Sequence, residues 1–275
     1  MAMVQTKIIA VLAAAVCLCS CSTYRYGWEK TEVAGRLTGV TAEQTGTIDS
    51  VYHAPNGRTF GPETSVYGVA DIILGMRPKM ISLTSGVIGR CPGGMRRGYP
   101  ESDLYDWAAD MIGELVEKEI GKKVDMAFMN GGGIRIDMPK GDVKVEDILA
   151  MFPFHNSPVY LSMKGSEILG LLNKLASSKF QPLSGVKVVV SDGKVISAEI
   201  GGEPLDPERY YGVATIDFLL DGGDGFFLAD HAVECISAAR DIKDLIIPLM
   251  REKYAAGQLI EVTQRNRIII REDVR

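Results

Sequence analysis

Histidine is scarce in this 275-residue chain, which carries His53, His155 and His231 and no others. Three imidazoles spread over that length cannot build the two metal spheres of a dinuclear hydrolase. Basic residues are not in excess either: 30 Lys and Arg stand against 35 Asp and Glu, a net charge of −5. A nucleic-acid polymer, which favours a basic face, is therefore not an expected partner, while a local basic pocket for a small phosphate fits that balance. No repeat at solenoid period and no low-complexity tract interrupts the chain. A G-x-G-x-x-G opening a helix is missing, and so is a Gly-Lys-Ser/Thr phosphate loop, so neither dinucleotide nor P-loop binding is indicated. What remains, 46% hydrophobic and 24% charged, is the composition of an ordinary globular protein.

The N-terminus holds an apolar run, IIAVLAAAVCLCSC after Lys7, that is short for a bilayer span and right for a signal-peptide core. It ends in Leu18-Cys19-Ser20-Cys21, which resembles the lipobox of bacterial lipoproteins, although a cysteine at Cys19 is a less usual choice there. Cleavage would leave Cys21 lipid-modified at the mature N-terminus of an extracytoplasmic, membrane-anchored protein. A plain secretory signal and an uncleaved short anchor are the alternatives. Residues 1–20 are thus expected to be a signal peptide, 21–61 a linker with short strand-like pieces, and 62–275 the folded domain. Cys91 and Cys235 are then the remaining thiols, and their separation in sequence leaves a disulfide and two inert thiols equally open.

Periodicity supplies the elements. Val66, Val69, Ile72, Ile73 and Met76 recur at helical spacing between Glu63 and Met80. Leu104, Trp107, Ala108, Met111, Ile112 and Leu115 form the stripe of a helix over about 102–120, with Ser102 or Asp103 to cap it and Gly121 to close it. A buried strand is expected at 124–129, short helices at 147–152 and 166–175, and a hairpin at 186–200 around Asp192-Gly193-Lys194. Further strands are expected at 159–163, 210–216 and 261–270, with a helix near 241–254 that contains Pro248. Strands and helices without strict alternation predict a single mixed α+β domain rather than a doubly wound sheet.

Three segments carry the candidate chemistry. Asn130-Gly-Gly-Gly-Ile-Arg135 follows a strand, a layout in which backbone amides and the Arg135 guanidinium can face a phosphate. In Met151-Phe-Pro-Phe-His-Asn-Ser157, Pro153 holds Phe154 in a loop. In Asp217-Phe-Leu-Leu-Asp-Gly-Gly-Asp-Gly-Phe-Phe227, Asp224 sits among glycines that a turn alone would explain without it. Two aromatic faces, arginines and one carboxylate suit a nucleoside: rings stack on the base, and the acid accepts from ribose hydroxyls.

These segments, with Pro153 to Asn156, Ser184-Gly185 and Met163 to Ile168 in the same order, resemble the C-terminal domain of the 5′-nucleotidase and UDP-sugar hydrolase family over roughly residues 62–275. The resemblance implies a nucleoside-binding domain whose metals lie in a separate N-terminal metallophosphatase domain. It implies that Phe154 and Phe218 sandwich the base, that Asp224 holds the ribose and that Arg135 meets phosphate or ribose oxygens. Asn130 and Asn156 stand at matching polar positions, Gly185 belongs to the matching Ser-Gly pair, and Arg97 matches after a shift of one or two residues. His155 replaces a residue that is commonly glycine. The metal-binding D-x-H, G-D-x-x-D and G-N-H-[DE] stretches are absent, so no catalytic residue and no cofactor is expected in this chain. Divalent metals are expected in a partner.

The expectation is the nucleotide-recognising subunit of a split extracytoplasmic 5′-nucleotidase, completed by a separately encoded metallophosphatase. The alternatives are a non-catalytic lipoprotein that captures nucleosides or nucleotides for uptake, and an interaction domain with a decayed pocket.

Overall fold

The computed structural model describes residues 42–262 and 264–271. The proposed lipobox and Cys21 lie outside them. A helical turn, α1 (Ala42–Thr45), precedes a small antiparallel sheet of β1 (Thr47–Ile48), β2 (Tyr52–His53) and β3 (Thr59–Phe60). Helix α2 (Ser65–Thr84) begins where the Thr64 hydroxyl accepts from the Tyr67 amide, and it carries Pro78 inside. The stripe read from its sequence is not its buried face. Ala70 and Thr84 are buried, Tyr67, Leu74, Arg77 and Ile81 are half-buried, and Val66, Val69, Ile72, Ile73 and Met76 face outward.

The centre is a five-stranded mixed sheet in the order β13 (Ala232–Ser237), β7 (Pro158–Lys164), β12 (Tyr210–Ile216), β5 (Met126–Phe128) and β8 (Leu183–Ser184). Only β12 and β5 run parallel, while the other neighbours are antiparallel. β12 is buried from Tyr211 to Ile216, as a middle strand covered on both faces must be. Helix α3 (Asp103–Ile120) packs on this sheet through Leu104, Trp107, Ala108, Met111, Ile112 and Leu115. The Ser102 hydroxyl accepts from the Tyr105 amide, and Gly121 closes the helix at φ +72°, as its capping residues foretell.

A second sheet runs β11 (Glu203–Pro204), β10 (Lys194–Ile200), β9 (Val186–Ser191), β14 (Ile268–Arg271). Its hairpin turns at Asp192 and Gly193, φ +48° and +70°, the left-handed pair that a tight two-residue turn requires. Helix α5 (Gly165–Ser177) covers β10 and β7, and α6 (Ile242–Ala255) packs on α3 and on β4 (Val87–Cys91), which pairs with β6 (Gly141–Lys144). Helix α4 (Val145–Met151) follows β6 directly. The closing strand is shorter than the expected 261–270, and Arg267 just before it turns inward, with 2% of its surface exposed. The mixed α+β architecture is as expected. Cys91 and Cys235 are both free thiols, one buried and one exposed. Among the described residues no helix is long and apolar enough to cross a membrane.

Candidate functional site

Strand direction brings the three glycine- and aromatic-bearing loops together. β5 and β12 are parallel neighbours, so the loops leaving their C-terminal ends emerge at one edge of the sheet. β7 runs antiparallel to β12 with Ile216 opposite Pro158, so the chain entering β7 arrives at that same edge. The first loop is Asn130–Arg135, the second Asp217–Phe227, and the third Pro153–Ser157. The Asp217 amide donates to the Ser157 carbonyl at 3.1 Å, tying the second to the third.

Asn130 is 6% exposed and donates from Nδ2 to Oδ2 of Asp224 at 2.8 Å, although 94 residues separate them. Its Oδ1 is buried and has no hydrogen-bond partner, an orphan that normally costs about 1–3 kcal/mol. Two of the three glycines have a side chain close against them. A Cβ on Gly131 would stand 2.7 Å from the Tyr105 hydroxyl, and one on Gly133 would stand 2.9 Å from Asn130 Oδ1. The Gly131 amide donates to Gln181 Oε1 at 2.8 Å, a partner that no motif signalled.

Asp224 adopts φ +49°, between Gly222 at +105° and Gly225 at +77°. A left-handed non-glycine residue is uncommon, and aspartate tolerates it better than most side chains. The loop is held from below. Phe226 is buried edge-on against Phe128 of β5 at 5.0 Å, and Lys174 Nζ donates to the Gly225 carbonyl at 2.6 Å. Phe218 sits on top instead, 44% exposed, with its ring against Gly223.

Phe154 is 47% exposed, far more than a core ring. The Arg135 guanidinium lies 5.7 Å from its centroid and donates to the Gly132 carbonyl at 3.1 Å. Asn156 lines a narrow slot with Phe154, Phe152, Met129 and Gly133, and its carbonyl accepts from Ile242 at the start of α6. His155 is turned to the rim, Nδ1 2.6 Å from Asp241 Oδ2, and this contact is the first cause holding the Asp241 carboxyl below its usual range.

Seven of the eight expected binding residues therefore belong to one neighbourhood, with Arg97 in a bracing position. Arg97 donates to Asp137 Oδ1 from its amide and from Nε at 3.1 Å, and from Nη1 to the Ile134 carbonyl at 3.3 Å, steadying the segment after the glycine loop. Gly185 does not join them. It follows β8, which runs antiparallel to β5, so it lies beside Asp125, before the strand whose far end carries Asn130. Its φ of +72°, and a Cβ position 2.2 Å from the Asp125 carbonyl, explain the glycine by backbone packing alone. Ser184 beside it donates to Asp110 Oδ1 at 2.5 Å, part of a buried brace on α3. A larger hollow of about 540 Å³ lies elsewhere, at Asn173, Lys174 and the Asp192 turn, and it contains no aromatic ring.

Among the described residues no group of three or more His, Cys, Asp or Glu is arranged to hold an ion. The open edge thus presents two exposed rings, a carboxylate on left-handed backbone, an orphan amide oxygen and a guanidinium, groups that can stack on a planar ring and hydrogen-bond to polar atoms beside it.

Residues 87–230 match the model of the 5′-nucleotidase C-terminal domain, and the chain belongs to that family. It is 38% identical over 112 residues to protein UshA of Escherichia coli (strain K12), covering 39% of this chain and 20% of that one. Against a 5′-nucleotidase of Vibrio cholerae it is 36% identical over 115 residues, covering 40% and 21%. The 5′-nucleotidase precursor of Thermus thermophilus superposes with a TM-score of 0.63 at 24% identity, over 79% of this chain and 45% of that one. The NAD nucleotidase of Haemophilus influenzae does so with 0.57 at 17%, over 82% and 48%. The aligned parts span about a fifth of those curated relatives and under half of those solved chains.

Proposed function

We propose that this chain is the nucleotide-recognising subunit of a split extracytoplasmic 5′-nucleotidase, anchored through lipid on Cys21 and completed by a separate metallophosphatase chain. The observation that carries the reading is the Asn130–Asp224 contact, which joins two distant glycine loops, with Phe218 in the second of them and Phe154 under the Arg135 guanidinium of the first, both rings exposed. In this reading the rings take the faces of the base. Asp224 exchanges one acceptor site from Asn130 for the ribose hydroxyls, a charge-assisted bond of short range. Arg135 and Asn130 Oδ1, with Asn156 on the slot wall, complete the polar set, and Arg97 holds the Arg135 segment in place. The water and the metals that would open the phosphate ester belong to the partner. In keeping with that division, the three histidines stand in none of the metal-binding stretches, and residues 87–230 match the family's C-terminal domain.

The test is AMP hydrolysis with divalent metal, by this chain alone and mixed with a secreted metallophosphatase that carries D-x-H and G-N-H-[DE] stretches. Turnover by the mixture only is the expected result. Rapid turnover by the purified chain alone overturns the division of labour. Adenosine binding without turnover in any mixture favours the capture lipoprotein. In calorimetric titrations Asp224→Ala should weaken adenosine about tenfold and spare free adenine, and equal losses for both ligands would contradict the ribose role.

A further inference from the structure

The guanidinium of Arg135 stands where an incoming base would have to lie. Its Cζ is 5.7 Å from the centroid of Phe154, over the ring. A base stacked on that face needs its atoms about 3.5–4.0 Å from those of the phenyl ring, so base and guanidinium contend for one surface. The slot that Phe154 lines with Asn156 holds about 10 Å³, scarcely one water, and offers a base no second berth. What keeps Arg135 in place is weak. Its side chain is exposed, makes no ion pair among the described residues, and donates one hydrogen bond, from Nη1 to the Gly132 carbonyl at 3.1 Å. Arg97, by contrast, is tied to the Asp137 carboxylate at 3.1 Å. Arg135 is therefore the arginine of this edge that is free to move.

We propose that Arg135 selects phosphorylated over dephosphorylated nucleosides by competing with the base for Phe154. The inference rests on the nucleotide reading above. In the empty site the guanidinium covers the ring. A base that stacks there displaces it, and the cation–π contact is lost. A nucleoside 5′-phosphate compensates that loss, because the freed guanidinium meets the phosphate through paired, charge-assisted hydrogen bonds. A nucleoside has no group to offer it. The site thus holds the substrate of an ester hydrolysis and sheds its product, and a single side chain does both.

Calorimetric titration of the full chain in EDTA, where neither ligand is turned over, reads the selection directly. Arg135→Ala should weaken AMP by about tenfold or more. The same variant should tighten adenosine about two- to fivefold, the strength of an exposed cation–π contact. Arg135→Lys keeps the charge without the stacking plane, so it should tighten adenosine as alanine does and retain more of the AMP affinity. An arginine that only binds phosphate would leave adenosine unchanged in both variants, and one that braces the glycine loop would weaken both ligands. Either result overturns the proposal. A second reading needs no ligand. With Phe154→Trp as reporter above the background of Trp28 and Trp107, adding Arg135→Ala should raise acrylamide quenching in the empty chain. Quenching that does not rise shows a ring already uncovered and overturns the competition. A chain that shows the quenching difference yet binds neither AMP nor adenosine fails at the nucleotide reading, and the selection falls with it.

Discussion

At the loop edge of the central sheet, Asn130 meets Asp224 at 2.8 Å with the aspartate open to solvent. On the flank of the same sheet, Arg267 meets Asp110 at 2.7 Å with the guanidinium sealed beneath α3. Both contacts join residues remote in sequence, and both leave polar atoms without partners: Asn130 Oδ1 at the edge, Arg267 Nε and Asp106 Oδ2 on the flank. The difference lies in what surrounds them. Arg267 also donates to the Asp106 and Leu183 carbonyls, at 3.2 and 2.7 Å, and so ties the last strand to α3 and β8. The edge instead spends glycines and left-handed backbone to keep its rings and acid accessible. One cluster holds the fold together and the other is held by it.

The sharpest break of this contrast is Arg267→Ala. Removing a buried cation and leaving Asp106 and Asp110 behind should cost about 3–5 kcal/mol, read as a lower denaturation midpoint at unchanged slope. A loss below about 1 kcal/mol would move Arg267 to the class of surface pairs.

The next effect concerns Asp106. Burial pushes its carboxyl up to about 8 against the pull of Arg267, which lies 3.9 Å away and is better matched to Asp110. A raised folded value means that the folded state holds a proton that the unfolded chain has released. The stabilising contribution is therefore complete below about pH 4 and is lost as pH rises towards 8, at up to about 1.4 kcal/mol per pH unit. Asp106→Asn should remove that slope, so the difference between variant and parent stability should grow from pH 4 to 8. Parallel curves would show that Asp106 is ionised in the fold.

Gly131→Ala should destabilise by about 1–3 kcal/mol, since its new methyl meets the Tyr105 hydroxyl. Adding Tyr105→Phe should return part of that loss in a double-mutant cycle. Simple additivity would locate the strain elsewhere.

Smallest in stability, and largest in contrast with Arg267, is Phe218→Ala. Its ring is exposed, so unfolding should shift by no more than about 0.5 kcal/mol. Adenosine affinity should fall about tenfold, as the loss of one stacking face implies. An unchanged titration would take Phe218 out of the binding edge.

Much of the fold was legible beforehand, because local periodicity and capping act within a few residues. The α3 boundaries, the Asp192-Gly193 turn and β12 stand where the pattern places them. The site was legible in part. Phe154, Phe218, Asp224 and Arg135 stood out from glycine, proline and aromatic context, and Asn130 only through the family resemblance. Gly185 could not be told from them, because a glycine demanded by the Asp125 carbonyl and one demanded by a ligand look alike in sequence. Gln181 and Tyr105 carry no motif and appear only as contacts of Gly131. The face of α2 was read inside out, since its outward stripe is as periodic as a core stripe.

By itself the sequence determined the elements, the punctuation between them and the shortage of metal ligands, all properties of residue type and short spacing. Only the tertiary structure decided that the three loops share an edge, because that depends on β12 running parallel to β5 and antiparallel to β7. Strand direction is settled by long-range pairing, and no window of adjacent residues contains it.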